Sequence, residues 1–332
     1  MVKSPKNVLV SVFHKEGLKP IVERLSAQGV TIYSTGGTYN AITSWGVSAV
    51  EVESLTSYPS ILGGRVKTLH PKVFGGILAR EDNASDLTEL GEYDIPLFDW
   101  VIVDLYPFEE TVANGSSHQD IIEKIDIGGI SLIRAAAKNY KDTLVVSHRD
   151  QYQELLTLLE AKGGQTDLAS RKAYAAEAFG ISSHYDMLIH GYLAEEASVF
   201  TVSQDHPMTL RYGENPHQRA TFFGDFGAMF TRLSGKPVSY NNLMDIESAV
   251  QVISEFKQPT FAIIKHNNTC GLATSDTVAK AYLKALACDN VSAFGGILIT
   301  NQEVHMGCAE AIQKLFFEAV SYTHLTLPTS YP

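Results

Sequence analysis

The sequence is poor in cysteine, in positive charge and in long apolar runs, and each shortage excludes a class of protein. Its three cysteines are far apart and form no CxxC pair, so neither a disulfide framework nor a zinc site is predicted. Lysine and arginine total 26 against 37 acidic residues, a formal net charge of -11, and broad nucleic-acid binding needs the opposite balance. No apolar run approaches the ~20 residues that span a bilayer. The first residues also lack the long apolar region and cleavage site of a signal peptide, so we expect a cytoplasmic protein with no membrane partner.

The overall composition is that of a folded chain with more than one domain. Its 332 residues are 45% hydrophobic and 19% charged, which is typical of soluble globular proteins and is enough for two domains. Over the first 200 residues, short β-branched runs alternate with helical patterns, which predicts a parallel sheet of βα units. The clearest strand candidates are VLVSVF (8–13), TIYST (31–35), WVIVDLYPF (100–108) and TLVVS (143–147).

An alanine-rich helical segment follows from about Asp167. Ala169, Ala173, Ala176 and Phe179 recur at spacings of four, three and three, which predicts that they share one face of a helix. We expect this helical region to end the first domain at about residue 200.

Beyond residue 200 the pattern predicts a second α/β domain. Strand candidates FAIIKH (261–266) and GGILIT (295–300) flank the helical stretch TVAKAYLKALA, and an amphipathic segment, AEAIQKLFFEAV, covers 309–320. The last twelve residues, SYTHLTLPTSYP, carry no formal charge with histidine neutral and hold two prolines. We expect 321–332 to be a disordered extension or a foreign tail.

The turn STGGT, Ser34 to Thr38, joins a predicted strand to a predicted helix. Its two glycines let an anion approach the backbone, and the following helix would direct free N–H groups at that anion. The pattern fits a phosphate cradle, and it fits a tight turn with a capping threonine equally well. Ser11 and Lys15 lie just beyond the first strand, at the same edge if the sheet is parallel, and ligands of open α/β sheets bind at that edge.

The segment SILGGRVKTLHPKVFGGILAR (60–80) holds four cations, two glycine pairs and no acid inside an acidic chain. Arg65 and Lys67 alternate with Val66, so in an extended segment both side chains would point the same way. Two cations on one side of such a loop would suit a phosphate or a developing oxyanion. An exposed basic loop is the alternative.

A third group of candidates comes from DLYPF and DIGGISLIRAAAKN. Arg134 and Lys138 are four apart on a predicted helix, a like-charge arrangement that is unfavourable unless an anion binds between them. Asp126, just before that helix, could be the anion, a helix cap or a proton carrier. Tyr106 ends a buried strand, where an aromatic residue belongs more often to the core than to a catalytic site.

The order of these motifs carries more information than any one of them. Together they closely resemble a family of bifunctional purine biosynthesis enzymes, 5-aminoimidazole-4-carboxamide ribonucleotide (AICAR) formyltransferase and inosine monophosphate (IMP) cyclohydrolase. The match runs from about Val8 to Val320. The motifs that carry it are SVFHKEG, STGGT, SILGGRVKTLHP, GGILAR, VDLYPFEE, IDIGGISLIRAAAKN, LRYGENPHQ, SYNNLMDIESA, IIKHNNTCG and VSAFGGILI.

The resemblance implies an α/β fold in which a methylglyoxal synthase-like parallel-sheet domain (1–200) is followed by part of a cytidine deaminase-like α/β domain (201–320). The first domain would close the second purine ring, taking formyl-AICAR to IMP with loss of water. The second would transfer a formyl group to AICAR from the co-substrate 10-formyltetrahydrofolate, with no tightly bound cofactor and no metal. Family members form homodimers and act on small-molecule nucleotides.

The resemblance also implies a role for particular residues. Lys67 and Tyr106 would face the formyl group, and Asp126 with Lys138 would handle the carboxamide and the protons. In the second domain, Lys265 would stabilise an oxyanion and His266 would accept a proton. The substrate-binding positions fall on Ser11, Lys15, Ser34, Thr35, Gly36, Gly37, Thr38, Arg65, Thr68 and Asn139 in the first domain, and on Arg211, Tyr212 and Asn242 in the second.

The chain departs from the family's pattern in sequence and in length. Phe74, Asp104, Ile130 and Thr269 stand where the family commonly has His, Asn, Pro and Pro, which bears on loop geometry rather than on the catalytic roles. The family's transferase half continues well beyond residue 320. We therefore expect a truncated chain that is competent for ring closure alone.

Three other functions compete with this interpretation. A methylglyoxal synthase-like lyase would share the first domain's fold and leave RYGENPHQ and KHNN unexplained. A nucleotide sensor would bind IMP without turnover. A zinc deaminase would need HxE and PCxxC ligands, which the second domain lacks.

Overall fold

The computed structural model describes residues 2–194 and 207–322. The chain folds into two compact units, Met1–Ser203 and Gln204–Pro332. The domain boundary predicted at residue 200 and most of the predicted tail at 321–332 lie outside the described residues. No helix in the described ranges is long and apolar enough to cross a membrane.

The strands of the first unit form one sheet in which every neighbouring pair is parallel. Their order across the sheet is β3-β2-β1-β4-β5, and the parallel sheet predicted from the alternating pattern is confirmed. The strands are β1 (Asn7–Val12), β2 (Thr31–Ser34), β3 (Val50–Glu51), β4 (Trp100–Asp104) and β5 (Leu144–Val146).

Helices connect these strands and cover both faces of the sheet. Short 3-10 turns add to them at Leu62–Gly64 and Arg149–Gln151. The helices are α1 (Leu18–Ala27), α2 (Gly36–Ser44), α3 (Val52–Thr56), α4 (Pro71–Leu78), α5 (Ala84–Glu92), α6 (Phe108–Ala113), α7 (His118–Ile122), α8 (Gly128–Lys138), α9 (Tyr152–Lys162) and α10 (Leu168–Leu193).

The sheet is buried on both faces, which is why its strands read as apolar runs. Successive residues of β1 point to opposite sides. Val8 and Val10 belong to a core with α1 and α9, whereas Leu9 belongs to a core with α4, α8 and α10. Burial of each such side chain stabilises the fold by roughly 1.5–3 kcal/mol relative to exposure, so the strand positions are strongly determined.

Helix α10 forms where a helix was predicted, and it packs through the face opposite the predicted alanine-rich one. Arg171, Tyr174, Ala178 and Tyr185 are buried, and the guanidinium of Arg171 donates to backbone carbonyls. The four residues predicted to share one face do share it, and that face is exposed, because alanine offers little area to bury and the tyrosines and the bonded arginine decide how the helix is turned. The exposed side carries Ala169, Ala173, Ala176 and Phe179.

The second unit has a four-stranded mixed sheet of order β11-β10-β8-β9 and a small antiparallel hairpin of β6 and β7. Its strands are β6 (Pro207–Thr209), β7 (Thr221–Phe223), β8 (Thr260–Lys265), β9 (Asn268–Thr274), β10 (Ile297–Thr300) and β11 (Ala319–Tyr322). Its helices are α11 (Phe226–Met229), α12 (Tyr240–Ser254), α13 (Val278–Cys288) and α14 (Met306–Ile312).

Helices lie on both faces of this sheet as well. Phe261 and Ile263 of β8 pack with α13 and α14, and the alternate residues Ala262 and Ile264 pack with α12. A Cβ placed on Gly271 would lie 2.0 Å from the carbonyl oxygen of Ala285, so only glycine lets α13 lie so close to β9. The second α/β domain predicted from the sequence is confirmed.

Candidate functional site

The candidate site of the first unit lies at the carboxyl edge of its sheet, where β1, β2 and β4 end. β2 and β4 lie on either side of β1, so the strand order reverses here, which is the usual position of a ligand site in an open α/β sheet. Ser11 is the penultimate residue of β1, and Lys15 follows the end of that strand by three residues. Both predicted residues therefore lie at this edge.

The hydroxyl groups of the 34–38 turn all donate inward. Because a hydroxyl has a single proton, none of the three is left to donate to a ligand. They fasten the turn to β1 and to α3 instead. The pairs are Ser34 Oγ with Val10 O at 2.8 Å, Thr38 Oγ1 with Val12 O at 2.8 Å, and Thr35 Oγ1 with Glu53 Oε1 at 2.7 Å.

The same turn begins α2 and leaves its first N–H groups for a ligand. Thr35 is the cap residue by position, but its side chain makes no capping bond. The first bond of the helix runs from Tyr39 N to Thr35 O at 3.4 Å. The N–H groups of Gly36, Gly37 and Thr38 precede it, and such groups bind anions. Backbone rather than hydroxyl donors would thus form the phosphate cradle.

Two lysines add positive charge beside this helix end. Gly36 has a φ of +55°, and a Cβ placed on it would lie 3.3 Å from Lys67 Nζ, so the ammonium lies directly over the turn. Lys15 Nζ donates to Val12 O at 2.6 Å and to Phe13 O at 2.7 Å. Burial lowers the pKa of Lys15, the Asp104 carboxylate opposes that shift, and the Lys67 ammonium adds to it. Two neighbouring cations of this kind are stabilised by a bound anion.

Arg65 lies in a tight turn rather than in the extended segment predicted from its alternation with Lys67. Ile61 pairs with Val66 across this turn, and Arg65 has helical backbone angles (φ -67°, ψ -26°). Its guanidinium bonds Glu123 at 2.7 and 3.3 Å. The extended segment on which the predicted alternation depended is therefore absent at Arg65, because the glycine pair folds the chain back on itself. Both partners of this ion pair are exposed, so it contributes little to stability.

Asp126 caps α8 and is buried beneath it. Its Oδ1 accepts from Gly129 N at 2.7 Å, and its own N–H donates to the Tyr185 hydroxyl at 2.9 Å. Burial raises the pKa of Asp126; hydrogen bonds from the Gly129 and Tyr106 backbone and the Lys67 ammonium oppose the shift, and Asp104 adds to it. A carboxyl with a raised pKa is suited to carry a proton. The cap predicted as one of three roles is present.

Tyr106 and Thr68 lie close to Asp126. Tyr106 is half-buried, its ring packs edge-on against Phe13 at 5.5 Å, and burial together with the Asp126 charge raises its pKa. It is therefore partly accessible rather than a fully enclosed core aromatic. Thr68 Oγ1 lies 3.1 Å from the position of a Cβ on Gly128, which puts its hydroxyl at the start of α8.

Two predicted residues lie away from this group. Lys138 ends α8, ten residues after Gly128, which is about 15 Å along the helix at 1.5 Å per residue. Its side chain is exposed. Asn139 is buried and donates its amide to Ile77 O at 2.8 Å and Ala79 O at 2.9 Å. These hydrogen bonds attach Asn139 to the end of α4, so in this structure the Asn139 amide has a structural role.

A histidine–aspartate pair at the same edge was not among the predicted site residues. Asp104 Oδ2 accepts from His14 N at 2.8 Å and lies 2.7 Å from His14 Nδ1. Asp104 ends β4 and is only 5% exposed, while His14 follows β1. The rule that polar residues at strand ends share one edge, which identified Lys15, would also have identified this pair.

In the second unit the structure brings Arg211, Tyr212 and Asn242 together. Arg211 Nη2 donates to the Tyr212 hydroxyl at 3.2 Å and to Asn242 Oδ1 at 3.3 Å, and it pairs with Glu318 at 3.4 Å. The guanidinium also lies 4.9 Å from the Tyr212 ring centre. Its Nε is buried and has no acceptor among the described residues, so the cluster has an unmet donor.

Lys265 and His266 lie at the turn between β8 and β9. His266 and Asn267 both have positive φ, +52° and +60°, which is the geometry of a two-residue type I′ hairpin. His266 is exposed, and Lys265 Nζ donates to Phe294 O at 2.7 Å. Asn267 N donates to Asp245 on α12 at 2.7 Å. Asp245 is one turn after Asn242 on the same face of that helix, so the hairpin and the arginine cluster are neighbours.

Comparisons with known proteins match this organisation. A family model described as the AICARFT/IMPCHase bienzyme matches residues 136–326, and an MGS-like domain model matches 17–131. The MGS-like match ends at residue 131 and the bienzyme match begins at residue 136, and both positions lie inside α8. The limits of these two matches therefore do not separate structural units. The predicted methylglyoxal synthase-like fold of the first unit is confirmed.

Curated relatives match along nearly the whole chain. It is 56% identical over 319 residues to the bifunctional purine biosynthesis protein PurH of Bacteroides thetaiotaomicron, covering 96% of this chain and 63% of that protein. The chain is 43% identical over 330 residues to PurH of Rhodopirellula baltica, and this match covers 95% of this chain and 63% of that protein. The chain thus spans less than two thirds of the length of these relatives.

A solved structure titled "Crystal structure of ForH" is 34% identical, with a TM-score of 0.50, and the match covers 57% of this chain and 100% of that one. The likeness supports the fold of the part that it covers. Because one family model spans more than half of the sequence, the chain belongs to the AICARFT/IMPCHase bienzyme family.

Proposed function

We propose that the first unit binds a purine nucleotide at the carboxyl edge of its sheet and closes the second purine ring, converting formyl-AICAR to IMP. The observation that carries this proposal is the convergence of Lys67, Asp126 and the N-terminus of α2. Lys67 is close to Gly36 and acts electrostatically on Asp126, so an anion site and a proton carrier share one cation.

The phosphate of the nucleotide binds between the N-terminus of α2 and the ammonium groups of Lys15 and Lys67. Backbone N–H groups and the helix dipole favour a dianion there. The inward hydrogen bonds of Ser34, Thr35 and Thr38 support this division, because they leave the backbone and the lysines as the donors.

Ring closure requires a carboxamide nitrogen, a weak nucleophile, to attack the formyl carbon. The new N–C bond turns the formyl oxygen into an oxyanion, which Lys67 stabilises. Asp126 accepts the proton that the attacking nitrogen loses and passes it to the oxyanion, which becomes a hydroxyl. The former formamide N–H then gives its proton, through Asp126, to that hydroxyl, so that water leaves and the ring becomes aromatic. Tyr106 orients the formyl group. Lys138 has no comparable support, because it lies at the far end of α8.

The second unit is the start of a formyl-transfer domain that binds AICAR. Arg211, with its unmet Nε donor, and Tyr212 hold the nucleotide beside Asn242, and His266 accepts the proton of the AICAR amine while Lys265 stabilises the oxyanion. The formyl donor is 10-formyltetrahydrofolate, and the complete enzyme is a homodimer. The arginine cluster and the hairpin each make a hydrogen bond to α12, through Asn242 and Asp245 respectively, and this common contact supports these roles.

Absorbance-monitored conversion of formyl-AICAR to IMP tests the first proposal. We expect Lys67→Ala to lower the rate by roughly 100-fold or more, the usual effect of removing one oxyanion-stabilising group. Lys172→Ala is the matched control, because Lys172 is an exposed lysine of α10. A Lys67→Ala rate equal to wild type would contradict the mechanism. Saturable IMP binding by the wild-type chain without any turnover would favour the nucleotide sensor instead.

A further inference from the structure

Glu53 is an acidic side chain at the candidate site that the proposed mechanism does not use. Its Oε1 accepts from the Thr35 hydroxyl at 2.7 Å. Its Oε2 is shielded from solvent and has no donor among the residues that the structure describes. A buried carboxylate oxygen without a donor is unfavourable, so this carboxylate is incompletely satisfied by its own fold.

The Thr35–Glu53 pair presents hydrogen-bond acceptors only. The Thr35 hydroxyl donates its single proton to the carboxylate, and an ionised carboxylate has no proton to donate. A phosphate oxygen, itself an acceptor with negative charge, is repelled by such a pair. A ligand hydroxyl, which can donate, is attracted to it. This corner of the site therefore differs in chemistry from the lysines and N–H groups beside it.

The fold places Glu53 where an open α/β sheet holds a sugar. β3 pairs with β2 so that Glu51 lies opposite Ser34, and Glu53 follows two residues later at the same edge. The glycine turn after β2 faces the phosphate. In dinucleotide-binding sheets the acidic residue beyond the strand next to such a turn bonds a ribose hydroxyl. The distance from phosphate to ribose within a nucleotide is short, and Thr35 directly precedes Gly36.

We propose that Glu53, supported by Thr35, accepts a hydrogen bond from a ribose hydroxyl of the bound nucleotide and makes the site selective for ribonucleotides over deoxyribonucleotides. This inference rests on the proposed nucleotide site. The torsion that turns a carboxylate is soft, and the inference requires that the Glu53 carboxylate rotates when the nucleotide binds so that the oxygen without a donor faces the ligand hydroxyl. The ligand hydroxyl then supplies the donor that the fold lacks.

Calorimetric binding of IMP, 2′-deoxy-IMP and 3′-deoxy-IMP to the full chain tests the inference. We expect the wild-type chain to bind IMP about tenfold more tightly than at least one of the deoxy nucleotides, since a bond to a charged acceptor is worth about that factor. Glu53→Gln should weaken IMP binding by about fivefold to tenfold and leave that deoxy nucleotide within about twofold of its wild-type affinity. Glu51→Gln is the matched control, because Glu51 is an exposed acidic residue at the end of β3, two residues before Glu53, and should retain the wild-type preference.

Two results would overturn the inference while leaving the nucleotide site intact. One is a wild-type chain that binds all three nucleotides with equal affinity, a comparison that needs no variant. The other is a Glu53→Gln chain that binds all three more weakly by one common factor, which would mean that Glu53 only holds the turn. Failure of the wild-type chain to bind IMP at all would remove the proposed function itself, and the inference with it.

Discussion

Replacing Asp126 with asparagine should greatly slow ring closure while leaving the first unit about as stable as before. Gly129 N donates to Asp126 Oδ1 at 2.7 Å in the wild-type structure, and the asparagine side-chain oxygen can accept the same hydrogen bond. Asparagine and aspartate are equivalent as helix caps. The variant loses a favourable interaction with the helix dipole of about 0.3–1 kcal/mol and removes a buried charge that opposes it. We therefore expect the free energy of unfolding at pH 7 to change by less than about 1 kcal/mol.

The pH dependence of this difference has a definite sign. Burial raises the pKa of Asp126 above its ordinary value of 3.8. Between pH 3.8 and the raised pKa, the folded state binds more protons than the unfolded state. The stability that this group contributes to the wild-type protein is therefore full below pH 3.8 and falls as the pH rises through the raised pKa. Asparagine does not titrate. The stability of the variant relative to wild type should therefore increase from pH 4 to pH 7.

Tryptophan fluorescence in urea measures this unit selectively, because the chain's two tryptophans, Trp45 and Trp100, both lie in it. The activity assay should show a loss of roughly 100- to 10,000-fold, the usual contribution of a general acid or base. A destabilisation of more than about 2 kcal/mol at pH 7 would mean that the charge itself holds α8. An unchanged difference between pH 4 and pH 7 would refute the raised pKa.

Two further substitutions test the packing that surrounds the candidate sites. Tyr185→Phe removes the buried hydroxyl that accepts from Asp126 N and should cost about 1–3 kcal/mol of unfolding free energy by tryptophan fluorescence; Tyr93→Phe, at an exposed tyrosine, should change it by less than about 0.5 kcal/mol. Gly271→Ala places a Cβ 2.0 Å from a carbonyl oxygen of α13 and should lower the stability of the second unit by about 1–3 kcal/mol or more, measured by circular dichroism during thermal unfolding. Gly307→Ala meets no atom within 4 Å, and an equal loss in this control would argue against the steric explanation.

The strands of the first unit were predictable because burial on both faces leaves an uninterrupted apolar run. VLVSVF, predicted for 8–13, forms β1 at Asn7–Val12, and TLVVS contains β5. The strand β11 was not predictable in the same way. It begins inside the segment 309–320, whose amphipathic pattern continues past the end of α14 at Ile312, so periodicity alone gave no boundary there.

The positions of the site residues along the chain were predictable, but the directions of their side chains were not. The sequence placed Lys15 and the 34–38 turn at one edge, yet nothing in it indicates that the Thr35 hydroxyl donates to Glu53. Hydrogen-bond direction depends on which acceptors the tertiary fold brings near. The resemblance likewise gave Lys138 a role in the same chemistry as Asp126 but no distance between them, and in the structure they lie at opposite ends of α8.

The inward hydrogen bonds of the 34–38 turn have a consequence for the entropy of binding. Fixing a residue's backbone costs roughly 1–2 kcal/mol, and a turn fastened to β1 and α3 at three points incurs that cost when the chain folds. Little conformational freedom remains to be lost when a ligand arrives, and such preorganisation raises affinity without adding a contact. Ser34, Thr35 and Thr38 would thus strengthen phosphate binding although none of their hydroxyls reaches the phosphate.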